Sequence, residues 1–384
     1  MTDKLYYTDG ETRTFTAQVL SCTEENGACS VALDRTALFP GGGGQDADTG
    51  TLAGQPIIGM READETVYHI VPEPLEPGTT VSGEVDWALR FPRMQGHSGE
   101  HIFSGTVHRL FRGENVGFHM GADAMTLDFS VELSPDDIAL CELEANRAVW
   151  RDVPVQSLLP TAEELSRMEY RSKKELSGRV RIVEIPGTDM CACCAPHVAR
   201  TGEIGVIKVL DYMRHRGGTR LTLVCGEAAY RDYEALHRVN AGISAQLSAK
   251  RLETGAAVER VMREGEEKRS EITRLKREIL SLKAALLPRV EGNMCIFEPD
   301  MDAITLRELV NAGVEKCSGV CAAFSGADGG YRYIIGSGSV DLRAAAKEIN
   351  AAINGRGGGS SSMIQGTCTA SRAEIEAFFN VKRG

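Results

Sequence analysis

The chain predicts an α+β, multidomain protein, and three features of its 384 residues carry that expectation. The first is length, which exceeds one ordinary hydrophobic core and calls for two to four domains. The second is a change of pattern near residue 90, from short β-branched runs to alternating helical and strand-like segments. The third is a long helical period that begins near 240 and stops at Pro288.

Residues 1–90 contain "RTFTAQVLSCT", "CSVALDRTALF", "GQPIIGM", "TVYHIV" and "TVSGEVDW", short runs bounded by turn residues, so a small N-terminal β-barrel or sandwich is expected, the barrel first. The glycine-rich loop "FPGGGGQDADTG" interrupts them. In residues 91–235, "GEHIFSGTVHRLF" and "SPDDIALCELEANRAVWRD" read as helices. Ser134 starts the second one with an acidic first turn, and Thr161 with Glu164 forms a capping-box pattern. Strands return at "RVRIVEI", "GVIKVLDYM" and "TRLTLVCG", making an α+β domain. Residues 236–290 form a long helix or coiled-coil linker, because Ile272, Leu275, Ile279, Leu282 and Leu286 follow 3,4 spacing. The seam fails at Lys268 and Gly265, and a spacer or dimer zipper is the expected use. Residues 291–384 read as a compact α/β domain containing a second glycine-rich loop, "NGRGGGSSSMIQGT".

A net charge of −11 argues against indiscriminate nucleic-acid binding by the whole chain, without excluding a local basic patch. Mean hydropathy is −0.19, and no apolar run of about 18 residues is present. The N-terminus lacks the apolar core of a signal peptide, so a cytoplasmic location and no membrane contact are expected. Eleven cysteines, an odd number, read as reduced thiols.

Chemistry concentrates in two places. His97 and His101 are four apart on a helical pattern and so leave one face. The zincin protease is excluded, because Ser98 stands where its glutamate would follow the first histidine. Nearly one hundred residues later, "CACCAPH" supplies Cys193 and His197 at the same spacing. Imidazole and thiolate together suit zinc, and the two pairs supply the four groups of a tetrahedral site. A closed structural zinc and a catalytic one are both open on this evidence, and Cys191 and Cys194 are alternates for the thiolate. "GGGGQ" lacks the endings of a P-loop or dinucleotide fingerprint.

The pieces "LDRTALFPGGGGQDADTG", "RMQGHSGEHIFSG", "HMGADAMTLDF" and "CCAPHV", in this order, resemble the AlaX family of alanyl-tRNA editing proteins. "GRGGGSSSMIQGT" is similar to the DHH-associated domain that closes alanyl-tRNA synthetase and long AlaX proteins. The resemblance implies an aminoacyl-tRNA deacylase that hydrolyses the ester joining serine or glycine to alanine tRNA. It places zinc on His97, His101, Cys193 and His197, and puts Gly42, Gly43, Gly44 and Gln45 at the rim of the pocket. Thr36 corresponds to the threonine that senses the serine hydroxyl; an ordinary strand threonine is the plainer reading. Two departures bear on substrate preference: Cys193-Cys194-Ala195-Pro196-His197 replaces the usual Cys-Gly-Gly-Thr-His, and Gly41 stands where glutamate is frequent.

The remaining candidates carry less. Glu100, on the ligand helix, is a partner of the metal ligands or an exposed carboxylate. Arg214, Arg216 and Arg220 make either a tRNA-binding patch or a solvated hairpin turn, and Arg356 in the second glycine-rich loop is a further tRNA contact. The partner is tRNA(Ala), with a homodimer through the coiled coil or the C-terminal domain. Two rival functions stand beside editing: a non-catalytic tRNA-binding protein with a structural zinc, and a hydrolase of another RNA or nucleotide ester.

Overall fold

The computed structural model describes residues 1–25, 27–172 and 180–380, so Arg179 of the expected strand "RVRIVEI" and the last four residues of the C-terminal segment lie outside the described residues. The chain divides into two compact units, Met1–Gly242 and Ile243–Gly384.

In the first unit, Thr14–Glu25 alternates exposed and buried side chains over its first half, and Phe15, Ala17 and Val19 enter a core with Val31, Leu33 and Leu52. This alternation produces a seven-stranded antiparallel sheet in the order Gln55–Pro56, Gly50–Leu52, Thr80–Val85, Thr14–Glu25, Ala28–Leu33, Thr66–Val71, Gly59–Ala63. The two end strands do not pair with each other, yet they are consecutive pieces of one segment. Ile57 N–H donates to Gly50 O at 3.0 Å and Ile58 N–H to Ile70 O at 2.9 Å, so the sheet is strongly curled.

The helix Trp87–Phe111 begins before residue 91, with Pro92 inside it. It packs on a four-stranded sheet ordered Asn115–Met120, Met125–Phe129, Gly218–Cys225, Ile207–His215. Two glycines set how closely this helix is approached: a Cβ at Gly99 would stand 2.4 Å from Cys225 Sγ in that sheet, and one at Gly105 would stand 2.6 Å from Thr188 O, just before the strand Asp189–Ala192. The helix Pro135–Trp150 carries the expected capping box, Ser134 with Asp137, and Ala162–Leu165 carries Thr161 with Glu164. A third sheet, Gln156–Leu158, Ile182–Ile185 and Asp189–Ala192, delivers the chain to the cysteine loop.

The glycine-rich loop is tied to the long helix by a buried ion pair. Arg90 Nε lies 2.9 Å from both Asp48 oxygens, and Arg90 Nη2 donates to Ala37 O at 2.6 Å. Asp48 Oδ2 also accepts the Phe39 N–H at 2.7 Å. Both side chains are buried, so neither charge has water to fall back on.

The expected continuous helix over 240–287 is interrupted. Gly226–Leu247 ends and Thr254–Leu286 begins after a break in which Ser248 adopts φ +49°. The seam residues stay exposed within the chain, Ile272 at 54% and Leu286 at 84%, whereas Ala257 and Leu280 of the same helix are buried. In the second unit, the sheet runs Met294–Glu298, Val320–Ser325, Tyr331–Ser337, Met363–Cys368, Gly355–Gly359, the first pair parallel and the rest antiparallel. The second glycine-rich stretch is therefore a hairpin and not a loop: Gly355–Gly359 is the edge strand and Met363–Cys368 its neighbour. Its glycines permit close pairing: a Cβ at Gly357 would stand 2.3 Å from Gln365 O.

Removing one partner of a buried ion pair strands the other charge at a cost of about 3–5 kcal/mol. Arg90→Met should therefore lower the stability of the first unit by about that much. Both tryptophans, Trp87 and Trp150, lie in this unit, so their fluorescence through a urea titration reads it directly. A loss under about 1 kcal/mol would show that Asp48 is not held by Arg90.

Candidate metal centre

His97 and His101 leave the same face of the helix Trp87–Phe111, and Cys193 and His197 come from the loop after Asp189–Ala192. Folding brings them together: one ligand atom from each lies within 4.8 Å of every other. His97 Nε2 is 3.5 Å from Cys193 Sγ, and His197 Nε2 is 3.3 Å from it. Zinc bonded to nitrogen and sulfur in a tetrahedron separates those atoms by about 3.5 Å. The donor set and its spacing fit a bound metal ion.

Each imidazole is oriented by a hydrogen bond at its other nitrogen. His97 Nδ1 lies 2.9 Å from Gln45 Oε1, His197 Nδ1 lies 3.0 Å from Ser98 Oγ, and His101 Nδ1 lies 3.1 Å from Asp189 Oδ2. An acceptor at Nδ1 keeps the proton there and leaves the Nε2 lone pair for the metal. Asp189 is itself gripped by Arg171, with Nε to Oδ1 at 2.7 Å and Nη2 to Oδ2 at 2.9 Å. The cysteine loop is held from below by Arg181, whose Nη1 donates to Cys193 O at 3.1 Å and Ala195 O at 2.8 Å.

Charge favours the ligand forms. Burial opposes a charged Cys193, but the neighbouring His97, His197 and His101 hold its thiol well below the ordinary value. Burial pushes Cys191 upward and Cys194 to about 11. Burial pushes His197 down to about 3, which keeps it neutral. For His101, burial lowers the pKa, while the bonds to Asp189 and Cys193 raise it to about 9; a bound cation replaces that proton. A second group, His101, Asp189 and Cys191, is also close together, but Asp189 is already spent on Arg171 and on His101.

The glycine-rich loop sits at this centre. Gly41, Gly42, Gly43 and Gly44 all have positive φ, from +62° to +138°, which non-glycine residues rarely adopt. Gly42 and Gln45 close the turn through paired backbone hydrogen bonds of 2.9 and 3.1 Å. Gly42 to Gly44 are exposed and Gln45 is buried. The Gln45 Nε2 amide is buried with no hydrogen-bond partner among the described residues.

The other candidates are placed as follows. Glu100 is buried, not an exposed carboxylate; its Oε1 accepts from Ser104 and Asn115, both at 2.6 Å, and its Oε2 lies 3.9 Å from His101 Nε2. Thr36 is fully buried; its hydroxyl lies 2.9 Å from His69 Nε2 and accepts the Leu38 N–H at 3.1 Å. Burial lowers His69 to about 4, so the ring is neutral. Arg214 and Arg220 are spent on carboxylates, Arg214 on Glu132 at 3.1 Å and Arg220 on Asp128 at 2.6 and 2.7 Å. Arg216 occupies the turn of the hairpin with φ +49°. Arg356 is exposed on the edge strand of the second unit.

The sequence reading missed Asp189 and Arg171. Their signal was faint: an acid two residues before a cysteine, and an arginine with no helical spacing to either. Ser98, which in the sequence only excludes a zincin, is in the fold the partner of His197.

The site is thus a His3Cys cluster under a glycine turn. Residues 180–222 match the family described as "Threonyl and Alanyl tRNA synthetase second additional domain". The alanyl-tRNA editing protein AlaX-L of Pyrococcus horikoshii is 30% identical over 62% of this chain and 60% of its own length. The alanine–tRNA ligase of Pyrococcus abyssi is 31% identical over 95% of this chain and 42% of its own length, and that of Methanopyrus kandleri 30% over 95% and 42%. The chain thus spans less than two thirds of these relatives. A solved structure, the C-Ala domain from Aquifex aeolicus alanyl-tRNA synthetase, aligns over 24% of this chain and 91% of that one at 17% identity with a TM-score of 0.20, too low to carry an argument. These similarities support the AlaX family of alanyl-tRNA editing proteins, with the alanine–tRNA ligases as further relatives.

Cys193→Ser should abolish stoichiometric metal binding, whereas Cys191→Ser and Cys194→Ser should retain it, as read by elemental analysis of purified protein. Asp189→Asn should weaken metal affinity about 10–100-fold, the usual effect of losing an orienting partner. Metal retention by Cys193→Ser would reassign the sulfur ligand.

Proposed function

We propose that the protein is a trans-editing aminoacyl-tRNA deacylase that hydrolyses the ester of serine, and of glycine, wrongly joined to tRNA(Ala), using zinc held by His97, His101, Cys193 and His197. The observation that carries this reading is the convergence of three oriented imidazoles and one thiolate beside an exposed glycine turn. Zinc there supplies Lewis acidity, activating water or fixing the substrate.

The chain's own groups do the rest. Glycines 42–44 let the acceptor end of the tRNA approach the backbone without side-chain interference. Gln45 orients His97 through its carbonyl and offers its unpartnered amide N–H to the substrate. Glu100 is the buried carboxylate nearest the metal-facing nitrogen of His101. For discrimination, a site that satisfies the serine hydroxyl leaves a polar group unpaired when alanine enters. Thr36 has this task only if its hydroxyl bonds the substrate in addition to, or in place of, neutral His69. Arg356 is the expected tRNA contact with no carboxylate partner among the described residues, while Arg216 makes no ion pair there and acts on Asp128 only through charge. The exposed seam on Thr254–Leu286 suits a homodimer, which sedimentation analysis reads directly.

One observation favours a second reading. Four protein donors already complete a tetrahedral shell, which is what a purely structural zinc in a tRNA-binding protein has. Deacylation separates the two. Purified protein should release serine from seryl-tRNA(Ala) and spare alanyl-tRNA(Ala), and His101→Ala should lose zinc and activity together. Absence of hydrolysis by the zinc-loaded protein favours the binding reading, and a wild-type rate from metal-free His101→Ala removes the metal mechanism. Thr36→Val should erode the serine-to-alanine ratio while leaving zinc content unchanged; an unaltered ratio assigns Thr36 to the core.

A further inference from the structure

The second unit contains a cavity of about 970 Å³ between the C-terminal half of the helix Thr254–Leu286 and one end of the five-stranded sheet. Its floor is a single row of residues crossing every strand. Glu298 pairs with Ser325, Ser325 with Arg332, Arg332 with Thr367, and Thr367 with Arg356. All five line the cavity. Residues directly opposite each other on neighbouring strands point to the same face of a sheet, so the row presents one continuous polar strip.

The two ends of this strip differ. Glu298 is bound to Lys283, and the Ser325 hydroxyl donates to Met301 O at 2.9 Å. Lys276 on the same wall faces Asp302 at 3.6 Å. That half is internally neutralised. At the other half, neither Arg332 nor Arg356 has an ion-pair partner among the described residues, and the Thr367 hydroxyl stands between them. Strand spacing puts the two arginine backbones about 10 Å apart, within reach of one group bound over Thr367. The exposed Asp300 on the rim is the one lining acid without a basic partner among the described residues.

We propose that this cavity binds a phosphate group of a nucleotide-sized ligand, with Arg332 and Arg356 as paired guanidinium clamps and Thr367 as the hydroxyl donor between them. Guanidinium forks match phosphate oxygens in a bidentate way and carry no acceptor, and the Thr367 hydroxyl between them can donate its own hydrogen. The cavity is far larger than an isolated anion needs, and Ile279 and Leu280 on the helix give the remainder of the ligand an apolar wall. The site uses none of the residues of the His3Cys centre and stands or falls apart from the editing reading.

The test uses the full chain and titration calorimetry with AMP, adenosine and a tRNA transcript. AMP should bind one per chain and adenosine at least tenfold more weakly, because only AMP carries the phosphate. Arg332→Ala and Arg356→Ala should each weaken AMP at least tenfold, and Thr367→Val should weaken it less. His101→Ala should bind AMP as the wild type does, which excludes the metal centre as the site. If AMP does not bind but tRNA binds and loses at least tenfold in the same arginine variants, the phosphate belongs to an RNA backbone. If a folded Arg332→Ala/Arg356→Ala protein, checked by circular dichroism, binds both AMP and tRNA as the wild type does, or if the wild type binds neither, the proposal is wrong.

Discussion

The site depends on one constraint: each imidazole of the cluster uses its Nδ1 on a protein acceptor, leaving only Nε2 to face the centre. The three acceptors come from three parts of the chain: Gln45 on the glycine turn, Ser98 on the ligand helix, and Asp189 at the start of the strand before the cysteine loop. A histidine free to rotate or to change tautomer would cost entropy and ligand basicity each time a metal bound. Here that cost is met in folding, by groups that are themselves fixed. Asp189 cannot turn because Arg171 holds both oxygens, and Ser98 cannot turn because it also accepts the Val198 N–H at 3.2 Å.

The same logic explains why the curled N-terminal sheet and the helical region form a single compact unit. The loop carrying Gln45 also carries Asp48, and Arg90 ties Asp48 to the first turns of the ligand helix. The positions of Gln45 and His97 are therefore linked twice, once through their own hydrogen bond and once through the Arg90–Asp48 pair. Four glycines in succession allow the turn between these anchors to be tight enough. Sequence, strain and site meet in a stretch of eight residues.

Much of this was legible beforehand, and the reasons are specific. His97 and His101 announce themselves because helical periodicity converts spacing into direction. Cys193 stands out because a C-x-x-x-H repeats that spacing, although only the fold separates it from Cys191 and Cys194. The capping boxes at Ser134 and Thr161 are local, so the sequence suffices for them. Long-range partners are not local. Arg171 and Asp189 pair across a segment of low regularity, and nothing in their spacing marks it. The 3,4 pattern suggested one helix over 240–287, but Ser248 breaks it with a backbone conformation that periodicity does not encode. "GRGGG" looked like a loop because glycine disfavours strands; the close approach of Gln365 and Met363 makes glycine the residue that fits an edge strand there. The sequence leaves the arginines near 214–220 open between a patch and a hairpin turn because the carboxylates that Arg214 and Arg220 meet, Glu132 and Asp128, lie more than eighty residues away.

With Ala195 and Pro196 in the ligand loop, Arg181 pins the loop carbonyls and Cys193 faces two imidazole nitrogens at 3.3 and 3.5 Å. The account therefore turns on the composition of one coordination shell. X-ray absorption at the zinc edge of the purified protein measures it directly. The prediction is three nitrogen donors at about 2.0 Å and one sulfur at about 2.3 Å. Two or more sulfurs, or none, would contradict it.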